Sequence, residues 1–308
     1  MRRTAALGLI AIVTFAASAT AIRPVGASEL RHATATPAAG YWLGGADGGV
    51  FAFGDAPFYG SGVTVPGACA YHQLPGVLHA GAVCSGLAPT PSGNGYWLLN
   101  SFGFPVGFGQ ASEYSQRGCT ASGPGVSGFA LMWTGMTSSA TGYGFLIARS
   151  DGAVSGCGDG IPAGGLIAVR LAAPIVGIAS TPDHKGYWLV GADGGVFSFG
   201  NAPFYGSMGG MPLNASVVGI TATPDGKGYW LVAADGGVFS FGDAVFAGSM
   251  GGSHLNGPVV GIATSPDGKG YWLAATDGGV FSFGNAPFEG SIGGQRLNAP
   301  VVSIAAYP

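Results

Sequence analysis

One pattern recurs along this chain and limits what it can fold into. Residues 186–207 read GYWLVGADGGVFSFGNAPFYGS, 228–249 read GYWLVAADGGVFSFGDAVFAGS and 270–291 read GYWLAATDGGVFSFGNAPFEGS; an earlier copy at 40–61 reads GYWLGGADGGVFAFGDAPFYGS. Two degenerate copies lie between, GYWLLNSFGFPVGFGQA from Gly95 and GFLIARSDGAVSGCGDG from Gly144. Anchored on the leading glycine, the units begin at 40, 95, 144, 186, 228 and 270, with spacings of 55, 49, 42, 42 and 42 residues. A period near 42 belongs to propellers, solenoids and arrays, in which one unit cannot bury its apolar faces alone and stacks on its neighbours.

Turn chemistry and alternation divide each unit into strands. In the last, Val259–Thr264 reads as a strand ending at Ser265-Pro266-Asp267-Gly268, where proline sets φ and Asp-Gly suits a tight turn. The chain returns as Tyr271–Ala275, meets the hairpin signal Asp277-Gly278-Gly279 and runs back as Val280–Phe283. Gly284-Asn285-Ala286-Pro287 turns it into a fourth segment near Phe288–Ile292, where the proline suits an edge strand. Tyr271, Trp272, Phe281, Phe283, Phe288 and their equivalents are expected to fill the space between units.

These segments predict an all-β chain: a β-propeller of about six four-stranded blades over residues 33–308, closed by the C-terminal strand. Val301–Ala306, followed by Tyr307-Pro308, repeats the first strand of a unit and then stops, and its natural place is in the first blade. His32–Pro37 resembles the same strand more weakly, so either copy is a candidate to complete blade one. An open β-solenoid is the alternative, and it would not need the terminal copy.

Residues 1–27 read as an export signal, with Arg2 and Arg3 ahead of an apolar run from Ala5 to Ala17 and cleavage expected after Ala19, Ala21 or Ala27. The run is short for a membrane span. Secretion or association with the cell envelope is therefore expected. With 60 glycines, 8% charged and 47% hydrophobic residues, the chain is neither disordered nor, lacking a three-residue glycine period, collagenous. Removing Arg2 and Arg3 leaves nine basic against fourteen acidic side chains, which argues against a nucleic-acid partner. Four cysteines in an exported chain predict two disulfides. Of three pairings, Cys69–Cys84 with Cys119–Cys157 is favoured because each joins sequence-adjacent parts.

Catalytic groups are hard to find. Asp47, Asp151, Asp193, Asp235 and Asp277 fill the second hairpin turn of their units; Asp55, Asp159 and Asp243 fill the next turn; Asp183, Asp225 and Asp267 follow the repeat proline. Aspartates at such sites bond local backbone. One carboxylate per loop is too few for a tight calcium site, and no Cys or His doublet suggests zinc. Neither metal nor cofactor is expected. Outside the turns stand Glu29, Glu113 and Glu289, and among the histidines His72 and His79 lie in the insertion between units one and two. Trp42, Trp97, Trp188, Trp230 and Trp272 share one repeat position and read as packing, while Trp133 stands outside the pattern. Tyr59 and Tyr205, on the fourth segment, are better placed for sugar contacts. The candidate ligand-binding residues are thus Tyr59, Tyr205, Trp133, His72, His79 and Glu113.

The motif GYWLV-x-x-DGGVFSFGDAPFYGS resembles a tandem repeat of exported actinobacterial proteins, often found beside cell-wall hydrolase or peptidase modules. The likeness spans roughly residues 33–308 and is most specific in the last three units. No such module is visible in this sequence, so its activity is not carried over. The rhythm is also similar, more loosely, to tectonin-type lectin propellers, whose repeat is shorter and whose tryptophan is placed differently. Two functions follow as expectations: a monomeric, non-catalytic module binding a glycan or protein of the cell envelope, or a hydrolase or lyase with its site in the irregular stretch 62–143.

Overall fold

The computed structural model describes residues 39–65, 68–69, 83–113, 132–167 and 169–308. Residues 1–27, expected to form an export signal, and the strand-like His32–Pro37 lie outside them. Among the described residues eighteen strands form six separate three-stranded antiparallel sheets. The first half of the chain supplies β1 (Gly40–Gly45), β2 (Val50–Gly54), β3 (Cys84–Pro89), β4 (Gly95–Asn100), β5 (Pro105–Gly109), β6 (Trp133–Ser138), β7 (Phe145–Arg149) and β8 (Val154–Cys157). The second half supplies β9 (Ile175–Ser180), β10 (Gly186–Gly191), β11 (Val196–Gly200), β12 (Val217–Ala222), β13 (Gly228–Ala233), β14 (Val238–Gly242), β15 (Val259–Thr264), β16 (Gly270–Ala275), β17 (Val280–Gly284) and β18 (Val301–Ala306).

Five sheets take three consecutive strands, in the orders β3-β4-β5, β6-β7-β8, β9-β10-β11, β12-β13-β14 and β15-β16-β17. The sixth breaks chain order: β18 pairs with β1, which pairs with β2. The terminal copy Val301–Ala306 therefore completes the first unit. Along the rest of the molecule each unit's first strand lies beside the next: β3 by β6, β6 by β9, β9 by β12, β12 by β15 and β15 by β18. The series returns on itself, because β18 also lies beside β3.

The middle strand of each sheet, which carries the GYWL run in five units and FLIAR in the third, is buried along its whole length. Opposite each tryptophan the neighbouring strand offers a small residue: Trp42 faces Ala52, Trp97 faces Gly107, and Trp188, Trp230 and Trp272 face Ser198, Ser240 and Ser282. The indole then reaches across to the ring that opens the next unit's middle strand. Trp42 meets Tyr96 at 5.5 Å between centroids, Trp97 meets Phe145 at 5.5 Å, Trp188 meets Tyr229 at 5.4 Å and Trp230 meets Tyr271 at 5.6 Å. Trp272 meets Tyr41 at 5.3 Å, carrying the series from the last unit to the first. Such pairs contribute roughly 0.5–1.5 kcal/mol each beyond their buried area.

The hairpins form where the turn residues require. Asp277 Oδ1 accepts from Gly279 N at 2.9 Å, Ala275 N donates to Gly279 O, and Gly278 takes φ +80°, open to glycine without strain. The same Asx bond recurs at Asp47, Asp151, Asp193 and Asp235.

The fourth segment departs from expectation. Where it lies among the described residues it forms no ladder, so the sheets have three strands rather than four. Its backbone is used differently: Trp272 Nε1 donates to Pro287 O at 2.6 Å, and three residues on, Gly290 O accepts from Tyr41 Oη of the neighbouring unit. Trp42, Trp188 and Trp230 hold Pro57, Pro203 and Val245 likewise, while Tyr96, Tyr229 and Tyr271 hold Gly60, Gly206 and Gly248. The segment is thus a tie from one sheet to the next, and its proline has no N–H to give a ladder. Its phenylalanine turns outward: Phe288 is 61% exposed, and Phe58, Phe204 and Phe246 are exposed too, so these rings do not fill the space between units as expected. Phe281 and Phe283 do pack there.

Candidate functional site

Because the first strands neighbour one another in series, their side chains converge. Met136, Ile178, Ile220, Ile262 and Ile304, at the fourth position of their strands, border two cavities, of about 400 and 120 Å³. The larger opens at the ends of the first strands, where Thr137 and Ser180 share a hydrogen bond of 2.8 Å and His184 reaches the wall.

His184 also lines a third space, a cleft of about 460 Å³ between the third and fourth units. At this seam the repeat loses two of its rings. Leu146 stands at the tryptophan position, and Ala163 stands where Tyr59 and Tyr205 plug the corresponding seams of other units. In those seams Tyr59 Oη donates to Gly93 O at 2.9 Å and Tyr205 Oη to Gly226 O at 3.0 Å, and Tyr205 also packs on Tyr229 and Trp188. Both Leu146 and Ala163 line the cleft. Two missing rings thus account for the space.

Two further changes accompany them. Gly93, Gly142, Gly226 and Gly268 occupy the turn position held here by His184, and all take positive φ. A side chain is blocked there by the preceding unit's proline: a Cβ on Gly226 would sit 2.6 Å from Pro182 Cδ, and one on Gly268 the same distance from Pro224 Cδ. In the third unit that proline is Ala140, which leaves room for the imidazole. His184 accordingly keeps φ +54° as the only non-glycine residue with positive φ among the described residues, and its Nδ1 lies 2.9 Å from Ser138 O. That backbone region costs a β-carbon-bearing residue of order 1 kcal/mol or more. Asp183, Lys185 and Asp159 complete the polar rim. Thr181 Oγ1 donates to Asp183 at 2.7 Å and holds its carboxyl below the usual range, and Asn201 Nδ2 donates to its second oxygen. Thr141 donates to Asp159. These hydrogen bonds tie both carboxylates to neighbouring turns.

Of the residues singled out from sequence, Tyr59, Tyr205 and Trp133 do not line this cleft. Tyr59 and Tyr205 are half-buried ties between units, with their hydroxyls committed to backbone carbonyls. Burial pushes the Tyr59 phenol up. Trp133 is 4% exposed, under the Arg149 guanidinium at 5.6 Å, and Arg149 forms two bonds of 2.8 and 2.9 Å with Asp151. It packs in the core. His72 and His79 lie outside the described residues, and the structure brings Glu113 into a short 3-10 turn, Gln110–Glu113. Cys69 and Cys84 form a disulfide, as expected. Cys157 is also disulfide-bonded, and Cys119 lies outside the described residues. Sequence reasoning missed His184, although a histidine in a column of glycines was a readable signal.

Among the described residues no cluster of three or more His, Cys, Asp or Glu could hold a metal ion, and no helix is long and apolar enough to cross a membrane. No family model matches the chain, and no curated protein matches it either.

Proposed function

We propose that the chain is an exported, non-catalytic β-propeller that binds a glycan or protein of the cell envelope. The six sheets are its blades, and the fourth segments are the ties that replace outer strands. Support for the ring comes from the series of first strands that returns from β18 to β3, and from the Trp272–Tyr41 contact. Support for binding comes from one observation above the others: the cleft between units three and four, where Leu146 and Ala163 leave a space that rings fill in other seams. A cleft of this size is within the range that small ligands and side-chain anchors occupy. The disulfide Cys69–Cys84 fits an oxidising compartment.

The test is retention of the purified protein on cell-wall material and on a glycan array. Saturable retention that free envelope fragments compete away is the expected result. Turnover of a glycan or peptide without retention would overturn the reading.

A further inference from the structure

We infer that the seam between the third and fourth units is a socket for an aromatic ring carrying an N–H or O–H donor, presented by a peptide of a protein partner. The inference rests on the binding-module reading and narrows its ligand from glycan or protein to protein.

The chain itself supplies the template. In the first and fourth units an indole N–H meets the carbonyl of the residue fifteen positions on, and a phenol O–H meets the carbonyl of the next unit's turn. At the third seam the corresponding carbonyls belong to Ile161 and His184. Leu146 has no N–H for the first, and Ala163 has no O–H for the second. An incoming tryptophan or tyrosine side chain restores one of these bonds and refills the vacated volume. A saturated sugar ring does so less well, because the floor is built from Leu146, Ile161, Pro162 and Ala163 and carries no aromatic face to stack on. Ile161 is 84% exposed, a large apolar surface that an occupant would cover. The fifth unit also lacks the tyrosine, at Ala247, but Trp230 and its bond to Val245 O remain. Only the third seam among the described ones lacks both rings.

The experiment titrates the intact protein with N-acetyl-tryptophanamide, N-acetyl-tyrosinamide, N-acetyl-leucinamide and N,N′-diacetylchitobiose, reading the methyl resonances of Leu146, Ile161 and Ala163 by NMR. Saturable shifts with the two aromatic amides, absent with the leucine amide, are expected. Ala163→Tyr, which restores the residue that folds at position 205, should remove those shifts, and Leu146→Trp should weaken them, each in a protein whose melting temperature is not lowered. Absence of saturable shifts, equal shifts with the leucine amide, or shifts that survive Ala163→Tyr would overturn the inference. Shifts with the chitobiose alone would do so too while leaving the binding-module reading intact; that reading fails separately, if the unmodified protein is not retained on envelope material.

Discussion

The hydroxyl of Tyr41 donates to the carbonyl of Gly290, 2.6 Å away and 249 residues along the chain. This bond joins the first unit to the last, and its equivalents join sequence-adjacent units. Tyr41→Phe should lower stability by about 1 kcal/mol, the net value of one such bond, measured by denaturant unfolding. Burial also pushes the Tyr41 phenol up to about 12. The unfolded phenol ionises near 10 while the folded one keeps its proton, so the contribution is complete below pH 10 and is lost as pH rises from 10 towards 12. Tyr41→Phe should flatten that alkaline loss.

Ser198, Ser240 and Ser282 bury their hydroxyls opposite tryptophans without a hydrogen-bond partner. The first unit has Ala52 at that place. Replacing each serine with alanine removes an unsatisfied polar atom, so each change should stabilise by about 0.5–1 kcal/mol. Thermal melts of the three single variants and the triple variant check this. A loss in any of them would mean that the hydroxyl has a partner.

Arg149 bridges the core tryptophan Trp133 and the turn carboxylate Asp151, whose titration its hydrogen bonds hold below the usual range. Arg149→Met keeps the stem but removes the fork, and should cost about 1.5–3 kcal/mol. Lysine should restore only part, since it cannot bond both carboxylate oxygens in one plane. The depressed carboxyl contributes stability above its unfolded value near 4, lost as pH falls through its lower folded value. Acid unfolding of the Arg149→Met variant should therefore lose that component.

His184 stands in a backbone region that its four counterparts reach as glycine. His184→Gly and His184→Ala both lose the contact to Ser138 O, but only glycine relieves the strain. The glycine variant should be more stable than the alanine variant by about 1 kcal/mol, read from paired urea titrations.

Much of the fold was legible because it depends on periodicity and turns. The strands of the last unit fall at Val259–Thr264, Gly270–Ala275 and Val280–Gly284, within a residue of where Pro266, Asp267-Gly268 and Asp277-Gly278-Gly279 place them. The partner of Val301–Ala306 could be narrowed but not fixed, since His32–Pro37 was a second candidate for the first unit; the pairing of β18 with β1 decides it. The fourth segment could not. Phe288 and Ile292 have strand-like propensity, but the donors that fix the segment, Trp272 and Tyr41, lie on other strands, one of them in another unit. Propensity carries no record of such cross-chain bonds. The setting of Tyr59 and Tyr205 was hidden for a related reason. Exposure was inferred for Tyr59 and Tyr205 from a supposed edge strand, whereas the sheets end earlier and these rings turn inward against Tyr96 and Tyr229. The cleft came from absent side chains, at Leu146 and Ala163, which a search for chemically active residues passes over.

In the first, fourth, fifth and sixth units the fourth segment is gripped by an indole of its own unit and a phenol of the next, so none of these repeats is a self-contained parcel. Pulling one unit loose must break the grips at both of its borders, and the neighbours then lose theirs. Such an arrangement resists unzipping from an end: mechanical or chemical stress should find a single cooperative rupture in the regular units, with the seam at Leu146 and Ala163, which lacks half its grips, as the place where it starts.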